Sequence, residues 1–269
     1  MGKQTGIIFY TQAAYTSKID PVTGWRPNLY LKYTSAEKAK SNILIFSKIT
    51  YNFSKKCFEF TYDLKNFGES KNGFPQKTEW TLYSCVERFR WDKKLNQNKG
   101  GYKHYENLTD GKLMGGDPKD KNIQNFKELF KRYGIDVESG SILGQIKNLG
   151  LKGNEKFFED FIFFWKLLCQ IRNTDESKKD NENDFILSPA EPFFDSRKAE
   201  ILGKNLPQNG DENGAYNIAR KGIIILKKIS AFSKNNGDFK KLKWGDLTVS
   251  HIEWDNAVSD WDAYVAKRA

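Results

Sequence analysis

The sequence predicts a mixed α/β chain, and three observations carry that prediction. Cys57-Phe58-Glu59-Phe60-Thr61-Tyr62-Asp63 and Thr78-Glu79-Trp80-Thr81-Leu82-Tyr83-Ser84 alternate as half-buried strands do. Phe157, Phe161, Phe164, Leu168 and Ile171 recur at helical spacing, and Phe158, Ile162 and Trp165 widen the stripe into that of a buried helix. Twenty Phe in 269 residues supply enough apolar mass for a core, which excludes a wholly disordered chain. At about 150 residues per domain the length suggests two domains.

Residues 6–14, beginning Gly6-Ile7-Ile8-Phe9-Tyr10, read as an early strand followed by a turn at Asp20-Pro21-Val22-Thr23-Gly24. Thr34 to Ile45 reads as a helix with Lys and Glu outward. The two alternating runs read as antiparallel neighbours joined by a loop over 68–76. Residues 92–121 are polar and glycine-rich, and read as surface loops with a short ordered piece near Tyr105. Ile123, Phe126, Leu129, Phe130 and Tyr133 mark a helix that Gly134 ends, and Ile142, Ile146 and Leu149 mark a shorter one before Gly150.

The Phe-rich helix is expected to run from about Glu155 to Arg172. Residues 174–184 have the composition of an exposed linker, and Phe185 to Pro189 of a short ordered return. The break at Pro207-Gln208-Asn209-Gly210 precedes a helix whose apolar side is Ala215, Ile218, Ala219, Gly222, Ile223, Leu226 and Ile229. A last helix over 255–268 places Val258, Trp261, Tyr264 and Val265 together.

Lys and Arg number 44 against 34 Asp and Glu, a net charge of +10 that suits a polyanionic partner. Three scattered Cys exclude a disulfide scaffold, and two His with no paired Cys leave no structural zinc site. No apolar run is long enough for a bilayer and the N-terminus lacks signal-peptide order, so the expected setting is the cytoplasm, away from membranes.

Asp211 stands at the start of a helix in Asp211-Glu212-Asn213-Gly214-Ala215-Tyr216. It is either one oxygen donor for a hard divalent cation or part of a plain N-cap, with Asp211 or Asn213 accepting from backbone donors. One carboxylate cannot hold the ion pair of a two-metal nuclease. Arg172 is either a cation favoured by the dipole at its helix's C-terminus or a guanidinium fork for a phosphate. Asp195 and Arg197 form either a structural salt bridge or a cleft lining. Phe239 and Trp244, interleaved with Lys240, Lys241 and Lys243, are either solvated surface or a platform for bases.

Several ordered motifs together resemble the C-terminal part of the type V-A CRISPR RNA-guided DNA endonucleases. They are Met1 to Gly6, Tyr15 to Pro21 with Thr23-Gly24, Leu168-Cys169-Gln170-Ile171-Arg172-Asn173, Phe194-Asp195-Ser196-Arg197, Leu206-Pro207-Gln208, Asn213 to Ile218 and Asp260-Trp261-Asp262-Ala263-Tyr264. The resemblance implies a partial RNase H-like (RuvC) fold with an inserted α+β Nuc domain. Residues 1–45 would be a late RuvC segment, 46–206 the Nuc domain and 207–269 the final RuvC segment. Asp211 would match the third catalytic carboxylate and metal ligand, and Arg172 the Nuc arginine important for cleavage. Asp184 would lie near the substrate path, with Asp195 and Arg197 as further substrate contacts. The implied cofactor is Mg²⁺. The implied partners are target DNA, single-stranded DNA, a guide RNA and an N-terminal effector portion. Asn209 stands where the family has an acidic residue. The segments bearing the first two RuvC carboxylates would precede Met1, so the chain is expected to be a C-terminal fragment that does not cut alone.

Overall fold

A computed structural model describes residues 11, 13–26, 29, 31–67, 74, 77–84, 89–92, 94–104, 118–138, 141–169, 172–174, 184–186, 188–190, 194–196, 199, 206–235, 237–250 and 252–258. The strand expected over 6–14 lies almost wholly outside them; residues 11 and 13 are irregular and 14 is in a turn.

The two alternating runs are neighbours in a three-stranded antiparallel sheet. Its strands are β1 (Phe46–Asn52), β2 (Cys57–Asp63) and β3 (Glu79–Tyr83), in the order β1-β2-β3. In β2, Phe58, Phe60 and Tyr62 are buried while Glu59, Thr61 and Asp63 are half-buried, which is the period of two read from the sequence. The register pairs Phe60 with Ile49 on one side and with Leu82 on the other. The Thr61 and Thr81 hydroxyls meet at 3.0 Å on the opposite face.

The covered face of the sheet is roofed by helices. Ala36–Ile43 starts at Ser35, whose hydroxyl accepts from the Lys38 N–H. Pro118–Arg132 ends at Gly134, where φ of +68° favours a residue without Cβ. Ile142–Asn148 is capped by Ser141, and its C-terminal carbonyls receive the Lys40 ammonium at Leu149 (2.6 Å). Glu155–Leu168 packs against both the first and the second of these helices. Between helices and sheet lies an aromatic core centred on Phe126, with Phe58, Phe60, Phe130, Phe157, Phe161 and Phe164 around it.

The remaining described strands are short antiparallel hairpins: β4 (Phe89–Asp92) with β5 (Gly101–His104), and β6 (Arg172–Thr174) with β7 (Asp184–Ile186). The first corrects the reading of 92–121 as loops; in it Asn96, Gln97 and Asn98 all have positive φ, a left-handed turn at the hairpin's end. Tyr105 itself lies outside the described residues, but β5, which runs to His104, is a short ordered piece of the kind expected near it. The second corrects the reading of the Phe-rich helix. That helix stops at Leu168 with Cys169 as its C-cap, so Arg172 opens a strand and the helix-dipole account of it fails.

The long helix Gly210–Lys234 begins where the sequence places it but buries another face. Asn213, Gly214, Asn217, Arg220, Gly222, Ile224 and Ile225 are buried, whereas Ala215, Ala219 and Leu226 are exposed and Ile218, Ile223 and Ile229 half-buried. The last described helix spans 252–258, beginning before the expected 255; Trp261, Tyr264 and Val265 lie outside the described residues. No described helix is long and apolar enough to cross a membrane.

Candidate functional site

The polar face of the long helix grips the segment from Thr16 to Trp25. This segment runs through a 3-10 turn, Thr16–Lys18, and turns the Ser17, Ile19 and Pro21 carbonyls towards the helix. Asn213 Nδ2 donates to the Ser17 (3.0 Å) and Ile19 (2.8 Å) carbonyls. Asn217 Nδ2 donates to the Thr16 carbonyl (3.1 Å) and to Asn213 Oδ1 (2.9 Å). Arg220 Nη1 donates to the Pro21 carbonyl (3.0 Å). The Arg220 guanidinium lies 4.8 Å from the Tyr216 ring centroid and 5.5 Å from that of Trp254. Trp254 Nε1 in turn donates to the Gly24 carbonyl (3.0 Å). Gly24 has φ of +69°, and a Cβ there would meet the Val258 side chain at 2.6 Å, so glycine is required on two counts. On the other side Trp25 Nε1 donates to the Tyr62 hydroxyl (2.8 Å), which fastens the segment to the sheet.

Asp20 sits inside this clamp, fully buried. Its Oδ1 accepts from the Val22 (2.7 Å) and Thr23 (3.0 Å) N–H groups, while Oδ2 has no hydrogen-bond partner. The Ser188 hydroxyl lies beside the carboxyl; its Oγ accepts from the Ala190 N–H (3.1 Å) and donates to the Ala190 carbonyl (3.4 Å). Burial raises the Asp20 pKa, against the opposing pull of Ser188 and the Thr23 and Val22 amides. The folded chain therefore holds a proton on Asp20 that the unfolded chain releases near pH 4. Stability from this group is full below that pH and lost as pH rises through the folded value. Asp20→Asn keeps the Oδ1 acceptor and is expected to flatten this fall. Denaturant titrations from pH 4 to 8 check it; parallel pH profiles for the two proteins would refute it.

The β6–β7 hairpin carries two of the residues singled out from the sequence. Its register sets Arg172 opposite Ile186 and Thr174 opposite Asp184, so positions 172 and 184 are diagonal neighbours on one ladder. The chain after β7 docks onto the sheet. The Tyr83 N–H donates to the Pro189 carbonyl (2.6 Å), and Leu82 bridges Ala190. The Ser196 hydroxyl accepts from the Ile186 N–H (2.7 Å), which draws half-buried Asp195 to the same place. Arg197 lies outside the described residues. The long helix also packs against β7, so the elements bearing Asp184 and Asp211 are in contact.

Asp211 lies exposed in the first turn of the long helix. The N-cap is Asn209, whose Oδ1 accepts from the Asp211 (3.1 Å) and Glu212 (2.9 Å) N–H groups. Glu212 reaches back to accept from the Gln208 N–H (2.7 Å). Capping thus falls to Asn209 and neither to Asp211 nor to Asn213, and the Asp211 carboxylate is left outside the cap. No group of three His, Cys, Asp or Glu that could hold a metal is found among the described residues. The described donors alone therefore do not make a divalent-cation site.

Two cations near the clamp were not singled out from the sequence. The Arg26 Nη2 is buried with no hydrogen-bond partner, and burial lowers its pKa to about 10. Lys221 is lowered by burial and then by repulsion from Arg26. Two half-buried cations that repel one another favour an anion between or beside them. Neither has a periodic or motif signature; only the folding of residues 16–26 onto the long helix makes them neighbours.

A fold of this kind, with a roofed sheet, polar clamps and a basic charge balance, suits a protein that handles a polyanion. Residues 19–198 match the family model of the NUC nuclease domain, and the chain belongs to that family. Membership gives the chain a part in nucleic-acid hydrolysis and a nucleic acid as its substrate.

Proposed function

We propose that the chain supplies the Nuc domain and the closing RuvC segment of a type V-A CRISPR RNA-guided DNA endonuclease. A partner portion would bring the guide RNA, the T-rich-PAM reader and the other two RuvC carboxylates. The motif resemblance and the nuclease-domain family support this reading. The observation that carries it is the long helix. Its polar face grips residues 16–25 and Ile224 and Ile225 are buried, while on the side read from the sequence as apolar Ala215, Ala219 and Leu226 are exposed and Ile218, Ile223 and Ile229 half-buried, which leaves that side room for a neighbour on another part of the effector. Asp211, outside the cap and at the helix's positive end, would add one oxygen donor to a Mg²⁺ site completed by that portion. Arg172 and Asp184, on one hairpin, would position the strand to be cut, with Asp195 and Arg197 as further substrate contacts.

The test is reconstitution with the N-terminal portion, guide RNA and Mg²⁺. Asp211→Ala is expected to lower guided DNA cutting by about a hundredfold or more while guided binding persists. Arg172→Ala is expected to lower cutting more than binding. Unchanged cutting in Asp211→Ala, or robust Asp211-dependent cutting of single-stranded DNA by the chain alone, would refute the assignment. The half-buried Arg26 and Lys221 favour a second reading, a DNA-positioning module without turnover. It predicts salt-dependent binding and no loss of cutting in Asp211→Ala.

A further inference from the structure

We infer that residues 238–247 form a base-stacking strap for single-stranded DNA, separate from the Arg172–Asp184 hairpin and from Asp211. Here the burial order is inverted. Leu242 and Leu247 turn partly inward, while Phe239 and Trp244 are each 53% exposed. Lys240, Lys241 and Lys243 stand exposed between the two rings. The two acids of the strap, Asp238 and Asp246, form no ion pair with these three lysines, and the strap keeps a net charge of +1. Asp238 Oδ1 accepts from the Lys240 N–H (3.0 Å) and Asp246 Oδ2 from the Lys243 N–H (2.9 Å), so both carboxylates are held by backbone. Exposed rings set among ammonium groups match a strand that offers base faces and phosphates together. A duplex hides those faces in its stack, which is why the strap fits a single strand.

The strap is held in place before any ligand arrives. Gly237 passes so close to Phe232 that a Cβ would lie 2.4 Å from the ring. The Phe232 ring meets Phe239 edge-on at 5.4 Å between centroids. At the other end Lys228 Nζ donates to the Thr248 (2.6 Å) and Asp246 (3.2 Å) carbonyls and pairs with Glu253 (2.7 Å). One ring is thus braced by the helix's last turns, and the other rides on a 3-10 turn, Trp244–Leu247, bolted to the same helix. Fixing both beforehand lowers the ordering cost of binding.

The inference takes only the class of ligand from the nuclease reading, and its test reads binding without divalent cation, so it stands or falls apart from cleavage. Fluorescence anisotropy of the full chain would compare a labelled twenty-nucleotide oligo(dT) with an abasic strand of equal length. Phe239→Ala and Trp244→Ala are each expected to weaken oligo(dT) binding about fivefold or more. Abasic binding should change by less than about twofold. Phe239→Tyr and Trp244→Phe keep a ring and should keep the affinity. Replacing Lys240, Lys241 and Lys243 by Ala together should weaken both strands and make the salt dependence shallower. Equal losses on the two strands, no loss on either, or ring-preserving variants as weak as the Ala ones would overturn the strap.

Discussion

Replacing Phe126 by alanine is expected to lower the unfolding free energy by about 3–5 kcal/mol, the cost of removing a buried ring and leaving its cavity. Phe126 is fully buried where the Pro118–Arg132 helix meets the sheet and the Glu155–Leu168 helix. Its ring centroid is 4.8 Å from that of Phe58, 4.7 Å from Phe130, 5.2 Å from Phe161 and 5.7 Å from Phe164. Each of those rings is itself held by others, so the walls cannot collapse into the space. Phe126→Leu, which refills part of the volume, should cost markedly less. Urea titrations followed by circular dichroism give both numbers; a lower midpoint at unchanged slope is the expected form. A loss below about 1 kcal/mol for the alanine variant would mean that this cluster does not organise the core.

Asn217→Ala is expected to cost about 2–4 kcal/mol, and to spend it locally. The side chain is fully buried and donates to the Thr16 carbonyl, to Asn213 Oδ1 and to the Asn213 carbonyl, so its loss takes the donor from buried Asn213 Oδ1 and unfastens the helix from the segment at Thr16. Asn217→Asp should be no better, because it keeps the shape but turns an acceptor towards those carbonyls. The reporter is amide exchange in the clamped segment. There the Asp20 N–H donates to the Trp25 carbonyl (2.7 Å) and the Gly24 N–H to the Asp20 carbonyl (2.9 Å). Protection at these amides should fall while that of the Glu155–Leu168 helix is kept. Loss of protection across the whole chain would show that the clamp and the aromatic core unfold as one unit. The clamp also sets the pose of the helix that begins at Asp211, so the proposed function depends on it.

Where one side of an element meets the core, its pattern was readable. The alternation in β2, the Phe stripe of the Glu155–Leu168 helix and the stop at Gly134 all follow from burying apolar groups at a fixed period. The reading failed where polar groups are buried. The long helix presents Asn213, Asn217 and Arg220 inward because the segment opposite them offers backbone carbonyls as acceptors, and hydrophobic periodicity has no means of expressing that preference. It failed again at Arg172. The apolar spacing runs on to Ile171, but pairing of 172–174 with 184–186 ends the helix at Leu168. Such pairing joins residues separated by a polar stretch, and local propensity carries no record of it.

The amino-acid order alone determined the mixed α/β character, the aromatic content of the core, the basic balance and the separate motifs around Arg172, Asp195 and Asp211. Tertiary structure decided which of these meet. It put Arg172 and Asp184 on one hairpin, set the helix of Asp211 against β7 and made Arg26 a neighbour of Lys221. The reason is one of range. Periodicity and capping act over a turn or two of chain, whereas hydrogen bonds such as Asn213 to Ser17 close across 196 residues and exist only once the core has brought the two segments together.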